Sequence, residues 1–251
     1  MMDSSTKAWQ VTNIKAGKVH RTIGDDLLND RIAGICIDDF VSALEISKIL
    51  AALREIGIEY YDGDDKSGAI VRKGKVGPNY YRFKEEPDEY FARTKRDLPV
   101  FEERILSGID LLGRLHRLSA ILFGAPVSLA EHRKIKMMPC TIRDLPVAPP
   151  HRDWLKGEVS NLDFLATIED QLAWNIYLTT PEKGGKTGIF KTQRRSDLEK
   201  GVPVCFHPPK AGQLLLFRST NIHEVRPTEG ARYTLSGFFG RTSDCRLLFW
   251  V

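Results

Sequence analysis

No long apolar run occurs in the sequence. Apolar stretches such as Ala120 to Phe123 and Leu214 to Phe217 fall far short of the roughly 20 residues a membrane-spanning helix needs. The first ten residues, Met1 to Gln10, lack the apolar stretch of a secretory leader, which predicts a cytoplasmic protein. Cysteine is scarce: Cys36, Cys140, Cys205 and Cys245 lie far apart and form no Cys-x-x-Cys pair. That argues against a thiolate zinc site and a dense disulfide framework, and predicts free thiols, most of them buried. Charge of one sign is missing as well. The 37 basic residues are interspersed with 33 acidic ones, for a net charge of +4. Such a mixture reads as solvated surface, not as the concentrated basic face of a nucleic-acid binder. Internal repeats and low-complexity tracts are also lacking.

What is present divides the 251 residues into a polar segment over 1–30 and one domain over 31–251, helical at about 40–125 and β-rich at about 133–251. The residues Arg31 to Ile37 alternate and predict a strand. Ser42-Ala-Leu-Glu45 has the form of a capping box, and Leu44, Ile46, Ile49, Leu50, Leu53 and Ile56 follow at helical spacing. The charged, aromatic stretch Tyr60 to Leu98, broken by Gly68, Gly74 and Gly77, predicts loops and a short helix after Pro87. A long helix is expected from about Phe101 to Phe123, with Gly124 as its stop and His116 as an ordinary helix-face residue. From residue 133 onward, short β-type runs separated by Gly and Pro turns predict an all-β sandwich or barrel.

The chemistry concentrates in that second half. His151-Arg152-Asp153 places an imidazole and a carboxylate at i and i+2, on one face if the segment is a strand. About one such match is expected by chance in this composition, so the pair needs support. His223 supplies a possible third ligand. Two histidines and one carboxylate leave open positions on a bound metal, which suits non-haem Fe(II). After His223 a turn at Glu229-Gly230 leads into Arg232-Tyr-Thr-Leu-Ser236. Arg232, Thr234 and Ser236 would share one strand face. An arginine buried in a barrel is costly unless it meets an anion, and a guanidinium matches a carboxylate bidentately.

The order of these features resembles the Fe(II)- and 2-oxoglutarate-dependent oxygenases, within them the prolyl-hydroxylase group: His151-x-Asp153, then strands, then His223 with Arg232 nine residues later. The segment Trp174 to Thr179, a Gly184-Gly185 turn and Gly188-Ile-Phe190 are similar to that family's central hairpin. The resemblance covers roughly residues 133–240 and the strand-to-helix entry from Asp38 to Ile56. It implies an α+β fold with a double-stranded β-helix, or jelly-roll, core and N-terminal helices packed on one sheet. It implies Fe(II) held by His151, Asp153 and His223, with 2-oxoglutarate and O₂ as cosubstrates. Arg232, with Ser236 or Thr234 and Tyr177, would hold the far carboxylate of 2-oxoglutarate. Asn175 joins them, being on the same polar strand face as Tyr177. Asp153 occupies the position that is a small residue in the related halogenases, so hydroxylation is expected, with desaturation or cyclisation open.

For the substrate, the candidates are Arg72, the patch Tyr80-Tyr81-Arg82, Trp154 and Trp250. The expected activity is oxidation of a small molecule, an amino acid or a natural-product intermediate, with neither a nucleic acid nor a membrane as partner. A protein hydroxylase of the prolyl type stays open as an alternative, as does a non-catalytic β-barrel binding module. A nucleic-acid demethylase is disfavoured, since that branch has an arginine six residues after the first and position 238 is Phe.

Overall fold

The computed structural model of the chain describes residues 9–64 and 70–251. Residues 1–8 of the polar segment and Gly68 lie outside the described residues. The elements that build the site are β1 (Val11–Lys15), α1 (Arg21–Leu28), β2 (Gly34–Asp38), α2 (Ala43–Ile56), β3 (Glu59–Asp64), β4 (Ile70–Val76), α3 (Pro87–Val100), α4 (Leu111–Phe123), β5 (Val127–Leu129), β6 (Thr141–Asp144), β7 (Ala148–His151), β8 (Ile168–Tyr177), β9 (Thr187–Phe190), β10 (Val204–His207), β11 (Leu214–Arg218), β12 (His223–Val225), β13 (Tyr233–Thr242) and β14 (Leu247–Trp250).

Two sheets face each other. The large one runs β1-β2-β11-β8-β13-β6-β4-β3, with β14 also on β13 and β5 on β14. The small one runs β10-β9-β12-β7. This is the double-stranded β-helix expected from the sequence, with helices against the large sheet: α1 touches β2, β11 and α4. Among the described residues no helix is long and apolar enough to cross a membrane. The large sheet is read as near-continuous apolar runs, such as Leu214 to Phe217, because its centre is covered on both faces.

The capping box at α2 forms as expected. Ser42 Oγ accepts from the Glu45 N–H at 3.3 Å, and Glu45 Oε2 accepts from the Ser42 N–H at 2.9 Å. Arg114 of α4 then grips both oxygens of Glu45, and Nη1 also donates to the Phe40 carbonyl at 3.0 Å. These bonds fix α2 against α4. Ile46, Ile49 and Leu53 form the buried stripe, whereas Leu44, at its N-terminal end, is 67% exposed. His116 is structural, its Nδ1 3.1 Å from the Val127 carbonyl.

Four expectations change. Residues 9–30 are not a detached polar segment: β1 pairs in parallel with β2, and Val11, Ile14 and Leu27 are buried. Few apolar residues suffice there because each meets a sheet already formed. Residues 59–64 and 70–76 are not loop but the antiparallel strands β3 and β4, which extend the large sheet through β6. The acidic residues Glu59 and Asp62 lie on β3, the edge strand, where such charges are tolerated. The helix expected over 101–123 is interrupted. The helix after Pro87 runs 14 residues to Val100 and continues as a wide turn, Phe101–Ile105, before Gly108, at φ +68°, breaks the path to α4. Lastly, the strand supposed for His151-Arg152-Asp153 ends at His151 and is β7, which contains Pro149-Pro150. It is the edge of the small sheet, where a missing N–H costs no ladder bond.

Candidate metal centre and cosubstrate pocket

His151 ends β7 and His223 begins β12, and the two strands place them as a register pair. Their ring centroids are 4.3 Å apart. Each imidazole is fixed by its Nδ1, which donates to a carbonyl two residues before it: Pro149 O at 2.7 Å for His151 and Asn221 O at 2.9 Å for His223. The proton on Nδ1 leaves both Nε2 lone pairs free to face a cation. Asp153 lies past the end of β7, not on it as a strand reading supposes. Its N–H donates to Ser219 O at 2.9 Å, which turns the carboxylate inward. Asp153 Oδ2 is 3.4 Å from His223 Nε2. Ligand atoms of the three residues all lie within 4.8 Å of one another, close enough to share one metal ion.

The electrostatics suit ligation. Burial, with the neighbouring His223, pushes His151 down to about 4, so its ring is neutral near pH 7. Burial works against ionisation of Asp153, but the adjacent His223 and His151 rings outweigh it and hold the carboxyl down to about 2. A neutral His151 imidazole and an ionised Asp153 carboxylate need lose no proton before binding a metal.

Beside the triad is an inward cavity of about 40 Å³, lined among others by Asn175, Thr187, Arg232, Thr234 and Ser236. The two sheets contribute from opposite sides. His151, His223 and Thr187 come from the small sheet, Asn175, Thr234 and Ser236 from the large one, and Arg232 from just ahead of β13. Arg232 is 3% exposed and has no carboxylate ion pair among the described residues. Its Nε donates to Gly185 O at 3.0 Å and its Nη2 to Thr187 Oγ1 at 3.0 Å. Burial lowers its proton affinity, yet a guanidinium stays charged. A buried, unpaired cation beside hydroxyl and amide groups fits a carboxylate-bearing cosubstrate.

The residues named from sequence divide. His151, Asp153, His223, Arg232, Thr234, Ser236 and Asn175 converge on this cavity. Ser236 Oγ donates to Asn175 Oδ1 at 2.7 Å. Tyr177 stands one layer back: its hydroxyl meets Thr187 Oγ1 at 2.9 Å, and its ring centroid is 5.5 Å from the Arg232 guanidinium carbon. It supports Arg232 and Thr187 and does not line the cavity. Of the substrate candidates, Arg82 and Tyr81 line a second cavity of about 190 Å³ that also reaches His151 and Asp153. Tyr80 and Trp250 do not, because both are fully buried in the core, Tyr80 donating to Asn161 Oδ1 at 2.9 Å. Arg72 stacks over Tyr60 at 4.3 Å, away from both cavities, and Trp154 packs as a partly buried residue at the core's edge.

Sequence reasoning missed Thr187, Gln171 and Arg143. Gln171 Nε2 donates to Asp153 O at 3.2 Å and to Tyr81 Oη at 3.1 Å, while its Oε1 accepts from Leu155 N at 3.1 Å. It braces the loop that carries Asp153. Arg143 of β6 lines both cavities. A hint was available for Gln171, a polar residue directly ahead of the apolar run Leu172 to Trp174; for Thr187 and Arg143 there was none.

Residues 147–240 match the model of the 2OG-Fe(II) oxygenase superfamily. Over 264 aligned residues the chain is 24% identical to an L-gamma-glutamyl-L-propargylglycine hydroxylase of Streptantibioticus cattleyicolor, covering 94% of this chain and 95% of that one. Among solved structures, the N-substituted L-amino acid dioxygenase of Burkholderia ambifaria in complex with alpha-KG superposes with a TM-score of 0.60 at 17% identity, covering 92% of this chain and 90% of that one. A 2OG-Fe(II) family oxidoreductase of Burkholderia pseudomallei gives 0.57 at 16% identity, covering 96% and 99%.

Proposed function

We propose that this chain, a member of the 2OG-Fe(II) oxygenase superfamily, hydroxylates an unactivated C–H of a small, amino-acid-derived substrate. The observation that carries the reading is the pairing of the His151–Asp153–His223 cluster with the unpaired, buried Arg232 in one cavity. The amino-acid class rests on the hydroxylase of 24% identity, whose alignment spans nearly the whole of both chains.

In this reading His151 Nε2, His223 Nε2 and an oxygen of Asp153 hold Fe(II), and Arg232, with Thr187, Ser236 and Thr234, holds the distal carboxylate of 2-oxoglutarate. Bound Fe(II), with 2-oxoglutarate and O₂, supplies the oxidant for the C–H bond. The chain's own residues do the rest. The Nδ1 bonds to Pro149 O and Asn221 O keep each ring from rotating, so the ligand atoms stay aimed at one point. Gln171 and Ser219 fix the Asp153 backbone. Phe217, 5.0 Å from the His223 ring, and Val225 give the cavity an apolar wall that limits water near the metal. The second cavity, which opens on His151 and Asp153, is the place for the substrate. Its size favours a small molecule over a protein segment, the alternative substrate.

Anaerobic addition of Fe(II) and 2-oxoglutarate should give the weak visible charge-transfer band of this family, and amino-acid derivatives should stimulate succinate release. Folded protein with no band would end the oxygenase reading. Succinate release driven by a peptide but by no amino-acid derivative would favour a protein hydroxylase.

A further inference from the structure

The second cavity holds an excess of positive charge that the proposed iron and cosubstrate do not explain. Lys75, Arg82 and Arg143 line it, and among the described residues Asp153, committed to the metal cluster, is its only lining carboxylate. Lys75 on β4 and Arg143 on β6 are direct register partners, so two cations lie abreast on one face of the sheet. Like charges placed directly opposite destabilise a sheet. Exposure does not relieve them, since Lys75 is 6% exposed and Arg143 only partly exposed.

The protein supplies little compensation. Lys75 Nζ is 3.4 Å from Glu59 Oε1, but that carboxylate is 59% exposed and shared with Arg93 at 3.7 Å. Neither Arg143 nor Arg82 has an ion pair among the described residues. Arg82 is nevertheless held in place. The Asn79 side chain caps the turn Tyr80–Arg82 by accepting from Tyr81 N at 3.0 Å, and the guanidinium lies 3.7 Å from the Tyr61 ring centroid. A side chain stacked against an aromatic ring at a cavity wall has given up much of its rotamer freedom before any ligand arrives. Arg143 also borders the Arg232 cavity, which places it where the two compartments meet at His151 and Asp153.

We propose that the substrate carries two carboxylates, one held by Arg143 with Lys75 beside the metal cluster and the other by Arg82 on the far wall. This rests on the oxygenase reading. The charges agree with it: Fe(II), Asp153, 2-oxoglutarate and Arg232 together sum to zero, so the two unpaired arginines need two negative groups from the substrate. A planar guanidinium accepts a carboxylate through two parallel hydrogen bonds.

The test uses the protein loaded anaerobically with Fe(II) and saturating 2-oxoglutarate, so that diacids do not bind at Arg232. Titration calorimetry compares N-acetyl-L-aspartate, N-acetyl-L-glutamate and γ-L-glutamylglycine with their monoamides and diamides. At least one diacid should bind, with each amide replacement weakening it by at least about tenfold. Arg82→Gln should erase the preference for the diacid over one of its two monoamides, Arg143→Gln over the other, and Arg82→Lys should restore part of it. Equal affinity for diacid and diamide overturns the proposal. So does the absence of binding by every diacid, or preference for N-acetyl-O-phospho-L-serine over all of them, in protein that shows the 2-oxoglutarate band. Loss of the band itself overturns instead the reading on which the proposal stands, so the two failures are distinguishable.

Discussion

His151 and His223 face each other across neighbouring strands of the small sheet, 4.3 Å between ring centroids, each with its Nδ1 tied to a backbone carbonyl two residues earlier. The same local bond recurs at both histidines, and in each it frees the Nε2 that faces the neighbour. His151→Ala and His223→Ala should therefore each lower Fe(II) affinity by on the order of 100-fold or more. Iron content after gel filtration and the visible band with 2-oxoglutarate measure this. Either variant with full iron content would remove that histidine from the site.

Arg232 and Thr187 differ in how directly they would meet 2-oxoglutarate. Replacing the guanidinium removes charge-assisted bonds, and Arg232→Ala should raise the 2-oxoglutarate KM roughly 10- to 100-fold. Thr187→Val removes one neutral hydroxyl that supports Arg232 Nη2, so about fivefold is expected. Succinate release against 2-oxoglutarate concentration gives both values.

Gln171 has no hydrogen bond to the side chains of His151, Asp153 or His223, yet it holds the Asp153 carbonyl and the Tyr81 hydroxyl together. Gln171→Leu should weaken Fe(II) binding roughly 10- to 100-fold. A binding isotherm on the refolded variant, with unfolding by urea as control, separates this from a general loss of stability.

Gly24 of α1 lies against α4 so closely that an added Cβ would fall 2.0 Å from the Leu122 carbonyl oxygen. Backbone cannot yield as a flexible side chain can, so Gly24→Ala should cost roughly 1–3 kcal/mol, typical of overpacking. Urea unfolding checks it; an unchanged midpoint would show that α1 does not pack on α4 in this way.

Glu45 is held down to about 2 from its ordinary 4.5, first by Arg114 and then by its capping bonds to Ser42. A carboxyl depressed on folding stabilises the fold fully above 4.5, and the contribution fades as pH falls from 4.5 through 2. Glu45→Gln should thus be less stable than the parent near neutral pH, with the gap closing as pH approaches 2. Unfolding midpoints across that window would show the convergence, and a gap independent of pH would contradict it.

Much of the site was legible because its parts lie close together in sequence. His151 and Asp153 are two residues apart, and His223, Arg232, Thr234 and Ser236 occupy fourteen consecutive positions that a turn folds back on itself. The substrate side was not legible in this way. Tyr80 and Arg82 are two residues apart and look alike as aromatic-basic surface, but one is core and the other cavity wall. Trp250 was misplaced for the same reason, since an amphipathic aromatic near a chain end carries no local sign of its burial. The strands β3 and β4 read as loop because charged residues on both, the buried Lys75 among them, mask their alternation.

The sequence by itself determined the β core and the capped helix α2, because periodicity and capping act within one element, and it offered His151, Asp153, His223 and Arg232 as candidates through short-range spacing and a family resemblance. Only the tertiary structure decided that Lys75 stands beside Arg143, that Thr187 reaches Arg232 and that Gln171 reaches Asp153. Those neighbours meet across strands separated by 18 to 68 residues in the chain. Register between strands is set by the whole buried face at once, not by any local pattern.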